Sequence, residues 1–369
     1  MGKYFILFYL SLILINLSAI NTLESPNLLA LNQKKNLLIG AISNYNWEKI
    51  KIFFTSFKES KFQNCECIIY VSNMSQSTID KIESSGCLIL QMPKKYDGEP
   101  IINARFAIYY DYLKENGDKY NLVFTADVRD VVFQRDVFQF YDSSKPFLGI
   151  ALEDGYLTEQ FNTKWLINGF GEDVYEAIKN ERIICSGTVW GTPDKFGEYS
   201  KAVWENSKID KSGTMTPEQG VTNYLIYYKK MFNDCLIKSF NNDGYVMTIG
   251  LTDNKKIRLD IKLNVLNFKG EVPAIVHQYD RYPVLVKLIN EKYFPESNSR
   301  LLIYTIFAII IIILISILIY REYNRHLNKN MESFRNEKKI EMYKMTQNDD
   351  SENLNDKEAS DNDILINKS

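Results

Sequence analysis

The sequence predicts an α/β protein with a mainly parallel sheet covered by helices on both faces. Short apolar runs alternate with helix-periodic stretches from residue 36 to residue 125, giving the order β-α-β-α-β-α-β. The runs are apolar throughout rather than alternating, the pattern of strands buried on both faces. With 369 residues, 45% of them hydrophobic, the chain can fill a sizeable core and is not a disordered chain.

The elements follow in order. Residues 36–43, NLLIGAIS, read as a first strand. Trp47, Ile50, Ile52, Phe53, Phe54 and Phe57 then recur at helical spacing. A second strand covers 67–71, a short polar helix 76–85, and a third strand 87–91. Residues 99–115 carry a helical stripe of Ile101, Ile102, Ala104, Ile108, Tyr109 and Tyr112, and 120–125 form a fourth strand. Later strands are expected at 147–152 and 187–190, and helices at 194–206 and 217–232. The Gly/Asn/Asp-rich stretch 241–255 reads as loops in a mixed α+β second half.

The two ends differ from this domain. Residues 4–20 are almost wholly apolar and follow Lys3, the pattern of a signal peptide, either cleaved or kept as an anchor. Residues 301–320 carry no charge, and at about 1.5 Å per residue they span a bilayer of about 30 Å. The expected organisation is a signal segment at 1–20, an exported lumenal domain at 21–300, a membrane span at 301–320 and a cytosolic disordered tail at 321–369. The tail ends in an acidic run with Leu365 and Ile366, similar to sorting signals of the dileucine kind. The expected location is single-pass in the secretory or endomembrane system or at the cell surface.

Other signals are local. Asn73-Met-Ser75 is an N-glycosylation sequon that export would make accessible. Among Cys65, Cys67 and Cys87, one pair can form a disulfide in the lumen, or all can be buried thiols. Formal net charge is -2, which argues against nucleic acid as a partner. Neither a Walker A sequence nor G-x-G-x-x-G after the first strand is present, so a P-loop kinase and a nicotinamide dehydrogenase are disfavoured. Of two histidines, only His277 lies in the central domain, and no G-x-S-x-G elbow accompanies it.

In α/β sheets, ligands bind beyond the carboxyl ends of the strands. The fourth strand ends in TADVRDVVFQ, 125–134, which delivers Asp127, Arg129 and Asp130 to that rim. The carboxylates can hold a hard divalent cation, or they form a solvated turn paired with Arg129. Apolar Val131, Val132 and Phe133 anchor the turn between buried segments.

This run resembles the metal-binding D-x-D region of nucleotide-diphospho-sugar transferases with the GT-A fold, in particular a group carrying D-x-R-D-V-x-F-Q. The resemblance extends over residues 36–285. Ser43, Asn44 and Tyr45 end the first strand where such enzymes meet the nucleotide. Residues 185–191, CSGTVWG, resemble their small-residue strand beside the sugar, and Glu218-Gln219 with Asn223 resembles their D-Q-x-x-x-N helix start. His277 follows an apolar strand where some members place a third metal ligand. The spacing departs from D-x-D by one residue, so either Asp127 or Asp130 can be the principal ligand.

What the resemblance implies is a GT-A-like, Rossmann-type mixed sheet and a membrane-anchored glycosyltransferase. It would move a sugar from a nucleotide-diphospho-sugar to a glycan or protein acceptor. Mn²⁺ or Mg²⁺ would be held by Asp127, Asp130 and His277. Ser43, Asn44, Tyr45, Arg105 and Asp127 would contact the donor. Glu218 and Asp154 are the candidate catalytic carboxylates, with Glu153 beside Asp154 at the end of the fifth strand. Lys94 and Lys95 follow the third strand, within reach of phosphate or simply solvated. The alternative is a catalytically inactive protein of the same fold, acting as a surface or endosomal receptor for glycan or protein.

Overall fold

The computed structural model describes residues 34–207, 213, 215–295 and 338. The expected signal segment, the apolar run 301–320 and nearly all of the tail lie outside the described residues. Among the described residues no helix is long and apolar enough to cross a membrane. The chain divides into two units, Met1–Tyr282 and Pro283–Ser369.

In the first unit, β1 (Lys35–Ser43), β2 (Cys65–Ser72), β3 (Cys87–Gln91) and β4 (Tyr120–Ala126) alternate with α1 (Trp47–Glu59), α2 (Gln76–Glu83) and α3 (Ile101–Asn116). β5 (Val131–Phe133) and β6 (Leu148–Tyr156) follow, then α4 (Gln160–Phe170), α5 (Glu172–Ile178), β7 (Arg182–Gly191), α6 (Pro193–Asn206) and α7 (Glu218–Asn223). Short strands β8 (Leu236–Ser239), β9 (Val246–Thr248), β10 (Arg258–Leu259), β11 (Val265–Leu266) and β12 (Ile275–His277) close the unit. The second unit contributes α8 (Pro283–Tyr293).

The main sheet has the order β3-β2-β1-β4-β7-β6-β8. Strands β3, β2, β1 and β4 run parallel, β7 is antiparallel to both β4 and β6, and β6 is parallel to β8. The fold is therefore mixed α/β with a mainly parallel sheet. Successive strand residues enter opposite cores, as a period of two requires. Leu37, Ile39 and Val123 join Phe106, Tyr109 and Phe196 on one face. Leu38, Phe124 and Ile69 join Phe53, Phe54 and Phe57 on the other.

Three short strands form a second sheet, β5-β12-β9. Here β12 is antiparallel to β5 and parallel to β9. Ser56 ties α1 to this sheet: its Oγ accepts the Phe133 amide at 3.1 Å. Phe53 meets Phe133 edge-on at 4.9 Å between centroids.

Several expectations change in detail. The helix expected over 217–232 is α7, extended by one wider turn at Tyr224–Tyr228 in which Lys229 N–H reaches Tyr224 O at 3.0 Å. It stops there because Lys230 and Phe232 take left-handed backbone conformations. The 241–255 stretch is not all loop, since Val246–Thr248 pairs with β12. Helices α4 and α5 carry no expectation from sequence; Gly171, at φ 98°, breaks the turn between them.

Cys67 and Cys87 are direct partners in the β2–β3 ladder and form a disulfide. Cys65, Cys185 and Cys235 are free thiols.

Candidate active site

The chain order turns back between β1 and β4: β2 and β3 add outward from β1, and β4 then returns to its other side. In open α/β sheets ligands bind at such a switch point, beyond the strand carboxyl ends. Ser43, Asn44 and Tyr45 leave β1 there, and Asp127 leaves β4 beside them.

Asp127 is fixed from both sides. Its amide donates to Gly187 O at 2.8 Å, which ties the turn to β7. One carboxyl oxygen, Oδ1, pairs with Arg105 Nη1. The other, Oδ2, faces His277 Nε2 at 3.6 Å. Burial alone would raise the Asp127 carboxyl, but Arg105 and His277 outweigh it and hold the group well below the usual carboxylate range.

Asp130 opens β5, and its Oδ1 lies 3.4 Å from His277 Nε2. Its carbonyl accepts the Gln278 amide at 2.8 Å, which locks the turn onto the end of β12. The Arg129 side chain is 40% exposed. It pairs with Asp130 Oδ2 at 3.3 Å and Asp280 Oδ2 at 3.0 Å. Burial works against the Arg129 charge, and Asp130, Asp280 and Tyr45 more than restore it.

His277 is 1% exposed. Burial would lower its pKa; Cys185, Asp130 and Asp127 instead push it well above the ordinary value. Its ring packs against Gly187, where a side chain of any size would collide with Cε1. Asp127, Asp130 and His277 each offer one ligand atom, all within 4.8 Å of one another. These atoms fit a divalent cation. His277 Nε2 and Asp130 Oδ1 are buried, face each other and make no hydrogen bond. One imidazole and two carboxylates suit Mn²⁺, or Mg²⁺ completed by water and phosphate oxygens.

Arg105, on α3, is buried and carries two carboxylates at once. Beside Asp127 it reaches Glu218 Oε1 with Nη2 at 3.1 Å. Glu218 begins α7 and also accepts from Ser186 Oγ at 3.3 Å. Burial raises the Glu218 pKa, and Arg105 offsets part of the shift. Asn223, one turn on, caps a gap in β7 by bonding both the amide and the carbonyl of Ile184. Gln219 donates to Asn162 Oδ1 at 3.2 Å.

The first-strand turn is polar and open. Asn44 takes a left-handed conformation, at φ 59°. Its amide donates to Ser43 Oγ at 2.8 Å, and its Oδ1 accepts from Asn73, the sequon residue. Lys49 lies 5.9 Å above the Tyr45 ring. Lys95 is paired with Asp111 at 2.5 Å.

The two consecutive carboxylates on β6 point to different places. Asp154 accepts from Thr252 Oγ1 at 2.6 Å and lies 3.8 Å from Arg182; it makes no hydrogen bond or ion pair with Asp127, Asp130 or His277. Glu153 is 4% exposed and neighbours Cys185, Gln278 and His277. Burial raises its pKa to about 7. The sequence marks Glu153, with Asp154, for acceptor binding or catalysis; Cys185, inside the apolar strand β7, carries no individual role there and only its place in the CSGTVWG run pointed to it.

No protein-family model matches the sequence, and no curated protein matches it. Among solved structures, the chain is similar to the galactosyltransferase LgtC crystallised with donor and acceptor sugar analogues. Identity is 12%, coverage is 69% of this chain and 95% of that one, and the TM-score is 0.40. An active-site mutant of LgtC gives 11% identity, 65% and 86% coverage, and the same TM-score of 0.40. At these values the likeness is too distant to assign a function.

Proposed function

We propose that the chain is a glycosyltransferase that moves a sugar from a nucleotide-diphospho-sugar to a glycan or protein acceptor. The observation that carries this reading is the convergence of Asp127, Asp130 and His277 beyond the strand ends at the switch point, with Asp130 Oδ1 and His277 Nε2 buried and making no hydrogen bond. A divalent cation bound there would neutralise charge on a departing nucleoside diphosphate.

The chain's own residues divide the remaining work. Ser43, Asn44 and Tyr45 stand at the β1 end of the switch point, where a nucleoside can lie. Arg105 clamps Asp127 Oδ1 and leaves Oδ2 turned toward the cation position. The same guanidinium holds Glu218, whose carboxylate would face positive charge growing at the sugar carbon. Glu218 is favoured for that role over Asp154, which Thr252 and Arg182 occupy.

The secretory-system membrane is the proposed location, with 1–20 as signal and 301–320 as span. The Cys67–Cys87 disulfide supports an oxidising compartment.

Calorimetric titration of the full-length protein in detergent with UDP and GDP, with and without Mn²⁺, tests the reading. The expected result is Mn²⁺-dependent binding of one nucleotide. A folded protein that binds neither nucleotide with metal present would overturn this reading in favour of the glycan- or protein-binding receptor.

A further inference from the structure

We propose that Cys185 is the positioning residue of His277 in the ion-loaded site: its sulfur accepts the Nδ1 proton, so that Nε2 is the nitrogen that gives up its proton for the cation between Asp127 and Asp130. The inference rests on the cation reading of the site. A neutral imidazole carries one proton, and the partner of one nitrogen decides which nitrogen is left to bind an ion. With the proton on Nε2, an N–H would point into the space between the two carboxylates.

The geometry around the sulfur supports the opposite tautomer. Cys185 Sγ lies 3.4 Å from His277 Nδ1. Gln278 Nε2 approaches the same sulfur at 4.0 Å. An amide nitrogen only donates, so the sulfur already serves as an acceptor on that side. The thiol's own proton has a separate destination. Cys185 pairs with Ala151 in the β6–β7 ladder, and Glu153 lies two residues on from Ala151 along β6. Alternation puts Glu153 on the Ala151 face, next to the sulfur. Its Oε1 is buried and makes no hydrogen bond, so it stands ready to take the S–H. On the far side of the ring, Nε2 and Asp130 Oδ1 face each other at 3.4 Å and make no hydrogen bond. Buried polar atoms without a hydrogen bond thus lie at both ends of the row Glu153, Cys185, His277, Asp130.

The test is Mn²⁺ affinity, read from the electron paramagnetic resonance of free Mn²⁺ over full-length protein in detergent. Parent, Cys185→Ala and Cys185→Ser are compared, with metal-free thermal unfolding as a control for folding. The alanine variant should bind Mn²⁺ about 10- to 100-fold more weakly, the usual effect of losing a partner behind a metal-ligating histidine. The serine variant, which keeps both donor and acceptor, should stay within about threefold of the parent. Alanine binding as tightly as parent overturns the positioning role and leaves the ion site standing. Serine as weak as alanine also overturns it, because simple packing at this position predicts that result. A parent that binds no Mn²⁺ overturns the ion site itself, and the positioning role with it.

Discussion

Gly187 and Asp127 approach so closely that a β-carbon on the glycine would lie 2.5 Å from Asp127 Oδ2. The same carbon would also strike the His277 ring. Gly187 therefore sets how near β7 can come to the two side chains. Gly187→Ala should destabilise the protein by about 1–3 kcal/mol, the usual range for overpacking. It should also weaken Mn²⁺ binding, because the collision lies on two of the three ligands. Denaturant unfolding and Mn²⁺ titration of one preparation check both; unchanged Mn²⁺ affinity would remove this role for the glycine.

Arg105 joins Asp127 to Glu218 inside the protein. Its removal leaves two partly buried carboxylates, Asp127 at 34% exposure and Glu218 at 12%, without their cation. Arg105→Leu should lower the urea midpoint, by less than the roughly 3–5 kcal/mol of a fully buried broken pair because water reaches the 34%-exposed Asp127. Arg105→Lys restores the charge but not the two-armed geometry, so its loss should be smaller while nucleotide binding stays impaired. If Arg105→Leu unfolds at the parent midpoint, the two ion pairs contribute nothing net.

Glu153 gives a pH signature. Burial raises its pKa from the model-compound 4.5 to about 7, so the folded state binds this proton more tightly than the unfolded chain. Its contribution to stability is full below pH 4.5 and is lost as pH rises toward 7. Glu153→Gln lacks the titrating group. Relative to the parent, the variant should gain up to about 3 kcal/mol between pH 4 and pH 8, measured without metal. Parallel pH profiles for the two proteins would contradict an elevated Glu153 pKa.

The disulfide predicts a redox dependence. Cys67 and Cys87 close a 20-residue separation across neighbouring parallel strands. Replacing both by serine should lower stability by about 3 kcal/mol, the loop-entropy value for this length. The mass of the intact protein before and after alkylation under non-reducing conditions shows whether the bond is formed. Alkylation of both residues in the folded protein would contradict it.

The early strands were legible because β1, β2 and β4 are buried on both faces and so are written as unbroken apolar runs. The second sheet was harder to read. β5, β9 and β12 have three residues each, too few for a period, and they pair across long stretches of chain. Asp127, Asp130 and His277 could be picked out by residue type and by their place at strand ends. Their convergence depends on the β5–β12 pairing of Val131 with His277, which no local pattern records. Glu153 and Asp154 show the other limit. Two adjacent carboxylates at a strand end must point to opposite sides, and sequence alone does not say which one points inward.

The candidate centre lies on a seam. Asp127 ends a strand of the main sheet, whereas Asp130 and His277 bracket strands of the small one. On the cation reading, the placement of the small sheet against the main one would set how far Asp127 stands from Asp130 and His277, and so which ionic radius fits. Mg²⁺ requires oxygen contacts of about 2.0–2.1 Å and Ca²⁺ accepts about 2.3–2.6 Å, a difference of a few tenths of an ångström. Phe53 of α1 packs edge-on against Phe133 of β5, the strand that follows Asp130. On the cation reading, a change of ring size in this contact would shift Asp130, and with it the radius accepted, without touching any ligand.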